Sequence, residues 1–357
     1  MDYIQFRSEI LCHIAFILKK EIMNKIKKLL YYNAITKEMC GHSKLLDIFL
    51  SRLFLKVPYN LYVDFCFYDV PWSERSKYIL DHAVYALRYN PGVTRTNHDD
   101  KRDLMKKILP YLKRRIVLDT SAMSYSDFTA FCDGLESFFY KPEDGDSGVG
   151  IKKVYLKDHT QKELFETIKA MKTGVLEETI QQHPKMKELN PDAVSTIRFM
   201  VFKHNSGARI LFSTLRTSIT QGSVVDNAGA GGCFASVDID KGEICNNAYS
   251  ESVALKSFTK ESKPLIGKNG IEKHPLSGTK FIGFKIPFYE NAKELVLGMA
   301  NNINFYNRRL LGFDIAITEN GPLVVEVNAN RPCICGLYQT ARKSTPLKEE
   351  FERMMKE

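Results

Sequence analysis

The chain has 357 residues, 44% hydrophobic and 26% charged. That is enough for two or three domains around a sizeable core, and it excludes a disordered or fibrous chain. Its 51 Lys and Arg against 42 Asp and Glu leave a formal charge of +9, which favours anionic partners such as nucleotides, sugar phosphates, nucleic acid or an acidic membrane surface. Eight cysteines with no CxxC pair give no zinc-site spacing and read as reduced thiols of a cytoplasmic protein.

The apolar run from Leu11 to Leu18 follows Glu9 and ends at Lys19 and Lys20, which suits neither a signal peptide nor a membrane span. Residues 9–31 make a basic amphipathic helix pattern, and helices of this kind either pack on their own protein or dock on a membrane or partner. Residues 1–95 read as mostly helical and basic. A charged helix pattern with Lys101 near its start covers Asn97 to Leu112, and another, capped by Ser126, covers Ser126 to Leu135. A short aromatic strand, Phe138 to Tyr140, leads into Lys141-Pro142. Thr160 and Glu163 then form a capping box for a helix that stops before Gly174, followed by a strand, Val175-Leu176, running into Glu177-Glu178. Period-two segments come next: 195–204 and 209–219 around Asn205-Ser206-Gly207, then 234–239 and 243–247 around Asp240-Lys241-Gly242. A helix is expected from Asn291 to Leu311, a hairpin over Phe313 to Asn328, and a last helix from Pro346. Mixed helices and strands in this order argue an α+β fold.

The segment FDIAITENGPLVVEVN, 313–328, is the most informative. A three-residue loop at Glu319, Asn320 and Gly321 would set Asp314 opposite Glu326, with Asn328 on the same face and Phe313, Ile315, Ile317, Leu323, Val325 and Val327 on the other. Two carboxylates and an amide are hard oxygen ligands, suited to Mg²⁺ shared with nucleotide phosphates; a half-exposed hairpin with solvated acids is the plain alternative. The same loop geometry at 205–207 puts Arg198 and Arg216 on one face among Thr196, Ser213 and Thr214, where two guanidinium groups could grip phosphate or carboxylate oxygens. The loop from Lys141 to Gly150, with Ser147 and Gly148, either wraps a phosphate with freed N–H groups or is a surface turn. The small-residue loop 222–233, which carries Asp226, Asn227 and Gly231, either lets substrate approach the backbone or is a simple connection. No triad signature supports a nucleophilic hydrolase, and basic residues without an interleaved aromatic platform argue against nucleic acid.

Taken in order, these pieces resemble the ATP-grasp fold, and more closely its sugar-transfer-associated family. The likeness is carried by QHP at 182–184, DAVSTIR at 192–198, LRTS at 215–218, VDNAGAGG at 225–232, HPLSG at 274–278 and the terminal hairpin, and it covers about residues 96–342. It implies two α+β subdomains, 96–180 and 181–357, clasping ATP behind the helical region 1–95. It implies phosphate contacts from Lys141 and Lys101, with Ser147 and Gly148 in the loop, and adenine contacts from Leu176, Glu177 and Glu178. A ribose contact falls to Gln182, Mg²⁺ to Asp314, Glu326 and Asn328, and the reacting groups to Arg198 and Arg216. It implies a carboxylate–amine ligase acting on small acid and amine substrates, sugar-linked, in surface polysaccharide or glycan precursor synthesis; a phosphotransferase acting on a hydroxyl is the alternative.

Overall fold

A computed structural model describes residues 3–81, 83–94, 101–143, 150–222, 232–250, 270–332 and 347–356, with side chains from residue 21 onward, Lys101 excepted. The chain forms two compact units, Met1–Leu80 and Asp81–Glu357.

The first unit is helical, as its composition suggests. Helix α1 (Tyr3–Cys40) runs for 38 residues, well beyond the 9–31 pattern, and α2 (Leu45–Phe54) and α3 (Tyr59–Asp64) follow. Its core centres on Ile48, Val63, Phe65 and Phe67 around a buried cation, Arg75. Arg75 donates to both oxygens of Asp47 at 2.8 and 2.9 Å, to Ser51 Oγ at 2.7 Å and to the carbonyls of Phe67 and Val70. Burial alone would raise the Asp47 pKa, but hydrogen bonds from Arg75 and Tyr62 outweigh it and hold the carboxyl below its ordinary value.

The second unit contains two antiparallel sheets. The smaller has four strands in the order β1-β4-β2-β3, namely β1 (Ile116–Val117), β2 (Ser137–Pro142), β3 (Lys152–Tyr155) and β4 (Gly174–Glu178). Phe138, Tyr140 and Leu176 from this sheet pack with Phe128 and Phe131 of one helix (Tyr125–Cys132) and Leu164 and Ile168 of another (Gln161–Ala170). The first of these helices is capped by Ser124 rather than Ser126, because Asp127 then lies three residues on and returns the bond to the cap backbone. The Thr160–Glu163 box caps the second as expected. At Gly174 an added Cβ would lie 2.5 Å from the Lys141 carbonyl, so only glycine lets β4 approach β2 this closely.

The larger sheet has six strands in the order β10-β9-β5-β6-β7-β8. These are β5 (Thr196–His204), β6 (Gly207–Ser218), β7 (Gly232–Asp238), β8 (Glu243–Ile244), β9 (Leu310–Thr318) and β10 (Gly321–Asn328). One face, with Ile197, Phe199, Leu215, Phe313 and Ile315, joins Val296 and Met299 of a helix spanning Tyr289–Asn302 in the main core. That helix ends at Asn302, not Leu311: Tyr306 and Asn307 both take positive φ, which breaks the helix and frees Leu310 and Leu311 for β9. The final helix begins at Lys348, and Pro346 lies outside the described residues.

Both hairpins reach the expected register beyond their bulges, but by a different route. Thr318 pairs with Gly321 and His204 with Gly207, so each turn has two residues rather than three. Each hairpin then carries a bulge, between Val324 and Glu326 and opposite Met200/Val201. A bulge adds one residue to one strand. The short turn and the bulge together give the same net offset as a three-residue loop, so Glu326 does lie opposite Asp314. Before the bulge the alternation is reversed: Val324, not Val325, pairs with Ile315 in the core, and Leu323 lies opposite Ala316.

Candidate functional site

The second face of the larger sheet carries a polar row that crosses five strands. Glu326 pairs with Asp314, Asp314 with Arg198, Arg198 with Thr214, and Thr214 with Ser236. Residues directly opposite one another share a face, so register alone lines them up. Arg216 sits diagonally from Arg198, opposite Thr196. Ser213, expected beside the arginines, points the other way and meets the Tyr289 hydroxyl at 2.5 Å, because it alternates with Thr214.

Asp314 is the hub of this row. Arg198 grips it with two parallel bonds, from Nε to Oδ1 and from Nη2 to Oδ2 at 2.8 Å, and Arg216 Nη1 donates to Oδ1 at 3.0 Å. The Asn328 amide donates to Oδ2 at 3.4 Å. All three charged groups are at least nine-tenths buried. Burial would raise the Asp314 pKa, but the two guanidinium charges outweigh it and hold the carboxyl at about 2. Further along, Thr214 Oγ1 and Ser236 Oγ are buried and make no hydrogen bond.

A second charged cluster lies where the two sheets meet. Lys141 Nζ is 2.9 Å from Glu177 Oε1, and Arg114 Nη2 is 2.7 Å from Glu177 Oε2. Arg114 also donates to the carbonyls of Val324 and Val325, at the β10 bulge and directly before Glu326. Burial would raise the Glu177 pKa, yet the charges of Lys141 and Arg114 hold it down. With two cations and one anion, this cluster keeps a net positive charge.

The structure thus joins Arg198, Arg216, Asp314, Glu326 and Asn328 on one sheet and ties Lys141 and Glu177 to that sheet's edge. The other expected residues are placed differently. The Leu176 side chain is in the core of the smaller sheet, and Glu178 accepts from the Arg115 backbone at 2.9 Å. The Gln182 amide donates to the carbonyls of Asn190 and Ala193 and accepts from the Ser195 N–H, so it holds the 190–195 loop together. Lys101 opens its helix (Lys101–Ile108), but its side chain, like Ser147, Gly148, Asp226, Asn227 and Gly231, lies outside the described residues. Sequence reasoning missed Arg114 and Ser236. Only the period of β7 hinted that Ser236 faces the row, and nothing local marked Arg114, whose partners are 63 and 210 residues away.

The donor chemistry of the row fits a hard divalent cation. Glu326 and Asn328 are half-buried beside Asp314, whose oxygens are shared with two arginines. Among the described residues no three His, Cys, Asp or Glu side chains converge on one point. A cation here would rest on two carboxylates, an amide oxygen and oxygens from its ligand, which is how Mg²⁺ binds with phosphates.

No curated protein matches the chain. Among solved structures, the chain is similar to the ATP-grasp ligase PsnB complexed with minimal precursor, at 13% identity and TM-score 0.36 over 72% of this chain and 59% of that one. It is similar to D-alanyl-alanine synthetase A from Vibrio cholerae, at 14% identity and TM-score 0.36 over 72% and 63%. It is also similar to D-cycloserine synthetase DcsG, at 12% identity and TM-score 0.33 over 71% and 70%. The chain spans about six-tenths of the length of the first two. The family model described as sugar-transfer associated ATP-grasp matches residues 81–351, nearly the whole second unit with both of its sheets and both charged clusters, and the chain belongs to that family.

Proposed function

We propose that the chain is an ATP-dependent carboxylate–amine ligase that forms an amide through an acylphosphate. The observation that carries this reading is Arg114, which joins the Lys141–Glu177 pair of one sheet to the β10 bulge beside Glu326 on the other. It brings a net positive cluster up to a row of oxygen ligands, the arrangement a triphosphate with its cation requires. In this reading Lys141, Lys101, Ser147 and Gly148 hold phosphate oxygens. Glu177, Glu178 and the backbone of Leu176 line the nucleoside side, while Gln182 acts only through the 190–195 loop that its amide holds together. Asp314, Glu326 and Asn328 would hold Mg²⁺, which would offset the negative charge of the phosphates. Arg198 and Arg216, fixed by Asp314, steady the transferring phosphoryl group, and the acceptor contacts are assigned to Asp226, Asn227 and Gly231. The chain's contribution is placement and charge balance, the larger part of phosphoryl-transfer catalysis.

The acceptor carboxylate attacks the γ-phosphorus, ADP leaves, and the amine then displaces phosphate from the acyl carbon. The family description favours sugar-linked substrates of glycan assembly. The two unpartnered hydroxyls of Thr214, beside Arg198, and Ser236, one strand further, favour an acceptor rich in oxygen. Thr214→Val is expected to raise unfolding stability by roughly 1 kcal/mol, because it removes a buried hydroxyl with no partner. The same variant should lower turnover; melting and phosphate release measured together check both parts.

The reading as a whole is tested by phosphate release against a matrix of acids and amines, with mass detection of the adduct. A ligase releases phosphate only when both acid and amine are present. Phosphate found on a hydroxyl, with no free phosphate and no amide, would make the protein a phosphotransferase.

A further inference from the structure

Unit 1 carries a feature that the ligase reading does not use. The inner side of α2 is committed within the unit: Ile48 and Ser51 are buried and Asp47 is bound to Arg75. A surface helix normally turns polar residues outward. Here the outer side of α2 is apolar, with Leu46 69%, Phe49 46%, Leu53 47% and Leu45 38% exposed. At about 100° per residue these four fall within one arc of about 100°. Arg52 lies beside that arc, and Lys44 and Lys56 stand at the two ends of the helix.

Helix α1, exposed on every side over residues 21–28, carries a second apolar arc. Ile22, Met23, Ile26 and Leu30 are 55%, 45%, 43% and 51% exposed. They share a second arc of about 100°, with Lys25 on one side and Lys27 on the other. From residue 21 to 56 the chain has seven Lys or Arg against three acids, and Asp47 is already taken by Arg75. Two outward apolar arcs, each edged by cations, match a surface that offers hydrocarbon and negative charge together. Pairing of the same face between two copies would instead set rows of lysine against each other. Among the described residues no helix is long and apolar enough to cross a membrane.

We propose that unit 1 docks on anionic lipid surfaces through Ile22, Ile26 and Leu30 of α1 and Leu46, Phe49 and Leu53 of α2. The full chain is expected to co-sediment with vesicles of phosphatidylcholine plus phosphatidylglycerol, to bind those of phosphatidylcholine alone at least about tenfold more weakly, and to be released by salt. The double variant Ile26→Asp with Phe49→Asp should lose vesicle binding by about tenfold or more while keeping its melting temperature, since both side chains are exposed. Failure of the full chain to bind the anionic vesicles, or equal binding by the variant, would overturn the proposal. So would a dimer in sedimentation velocity that the double variant abolishes, because that would assign the face to a second copy.

Discussion

Asp314→Asn is expected to destabilise the second unit by about 3–5 kcal/mol. The physical reason is that one carboxylate is shared by two buried guanidinium groups, Arg198 and Arg216. Asparagine keeps the volume but removes the charge, and the described contacts of Arg198 leave it no other acid. Breaking a buried pair from one side costs far more than the pair contributes, because the remaining charge has already left water. The same group sets an acid limit. Its folded pKa of about 2 lies below the ordinary aspartate value of 3.8, so its contribution is fully present above about pH 4 and is lost as pH falls toward 2. Urea melts between pH 7 and pH 2 check both points: the wild type should lose stability steeply below pH 4, and the variant should lack that component. A change under about 1 kcal/mol at pH 7 would show that the arginines are held by something other than Asp314.

Glu326→Gln is expected to reduce turnover by at least about a hundredfold with little change in melting. Loss of one electrostatic contact to the reacting centre costs about 2.7–4 kcal/mol in the barrier. Glu326 is half-buried at the sheet's edge strand, so the loss should fall on activity rather than on the fold. Asn328→Ala should behave in the same way and more weakly, as an amide oxygen binds a cation less strongly than a carboxylate does. Near-normal phosphate release by Glu326→Gln at limiting Mg²⁺ would remove Glu326 from the metal set.

The parts of this structure that were legible in the sequence are those written in local patterns. Period-two runs located β5, β6, β9 and β10, and the Thr160–Glu163 box located its helix. The facing of Asp314 and Glu326 was legible too, although for a different reason. Turn length and bulge compensate in both hairpins, and sequence patterns report only their sum. That is why Val324 and Val325 exchanged roles: a bulge reverses the alternation on one side of itself only. The overlong helix at 291–311 has the same kind of cause. Leu310 and Leu311 fit a helical period, and only the left-handed pair Tyr306 and Asn307 shows where the chain turns. What local patterns could not contain is the convergence of distant residues. Arg114, Lys141, Glu177 and the β10 bulge come from four segments, and their meeting depends on how the two sheets are brought together. Asn90 is a second case: its amide joins the carbonyls of Leu310, Ala329 and Asn330 and the N–H groups of Arg309 and Leu310, so it fixes where β9 begins and β10 ends.

The claim that a nucleotide and its cation meet on the polar row is tested most directly by calorimetric titration of the non-hydrolysable analogue AMPPNP into the wild type and Glu326→Gln, each with and without Mg²⁺. The wild type should bind at least about tenfold more tightly when Mg²⁺ is present, and the variant should lose that gain while retaining the weaker metal-free binding supported by Lys141. An equal Mg²⁺ gain in both proteins, or no nucleotide binding by the wild type, would contradict the account.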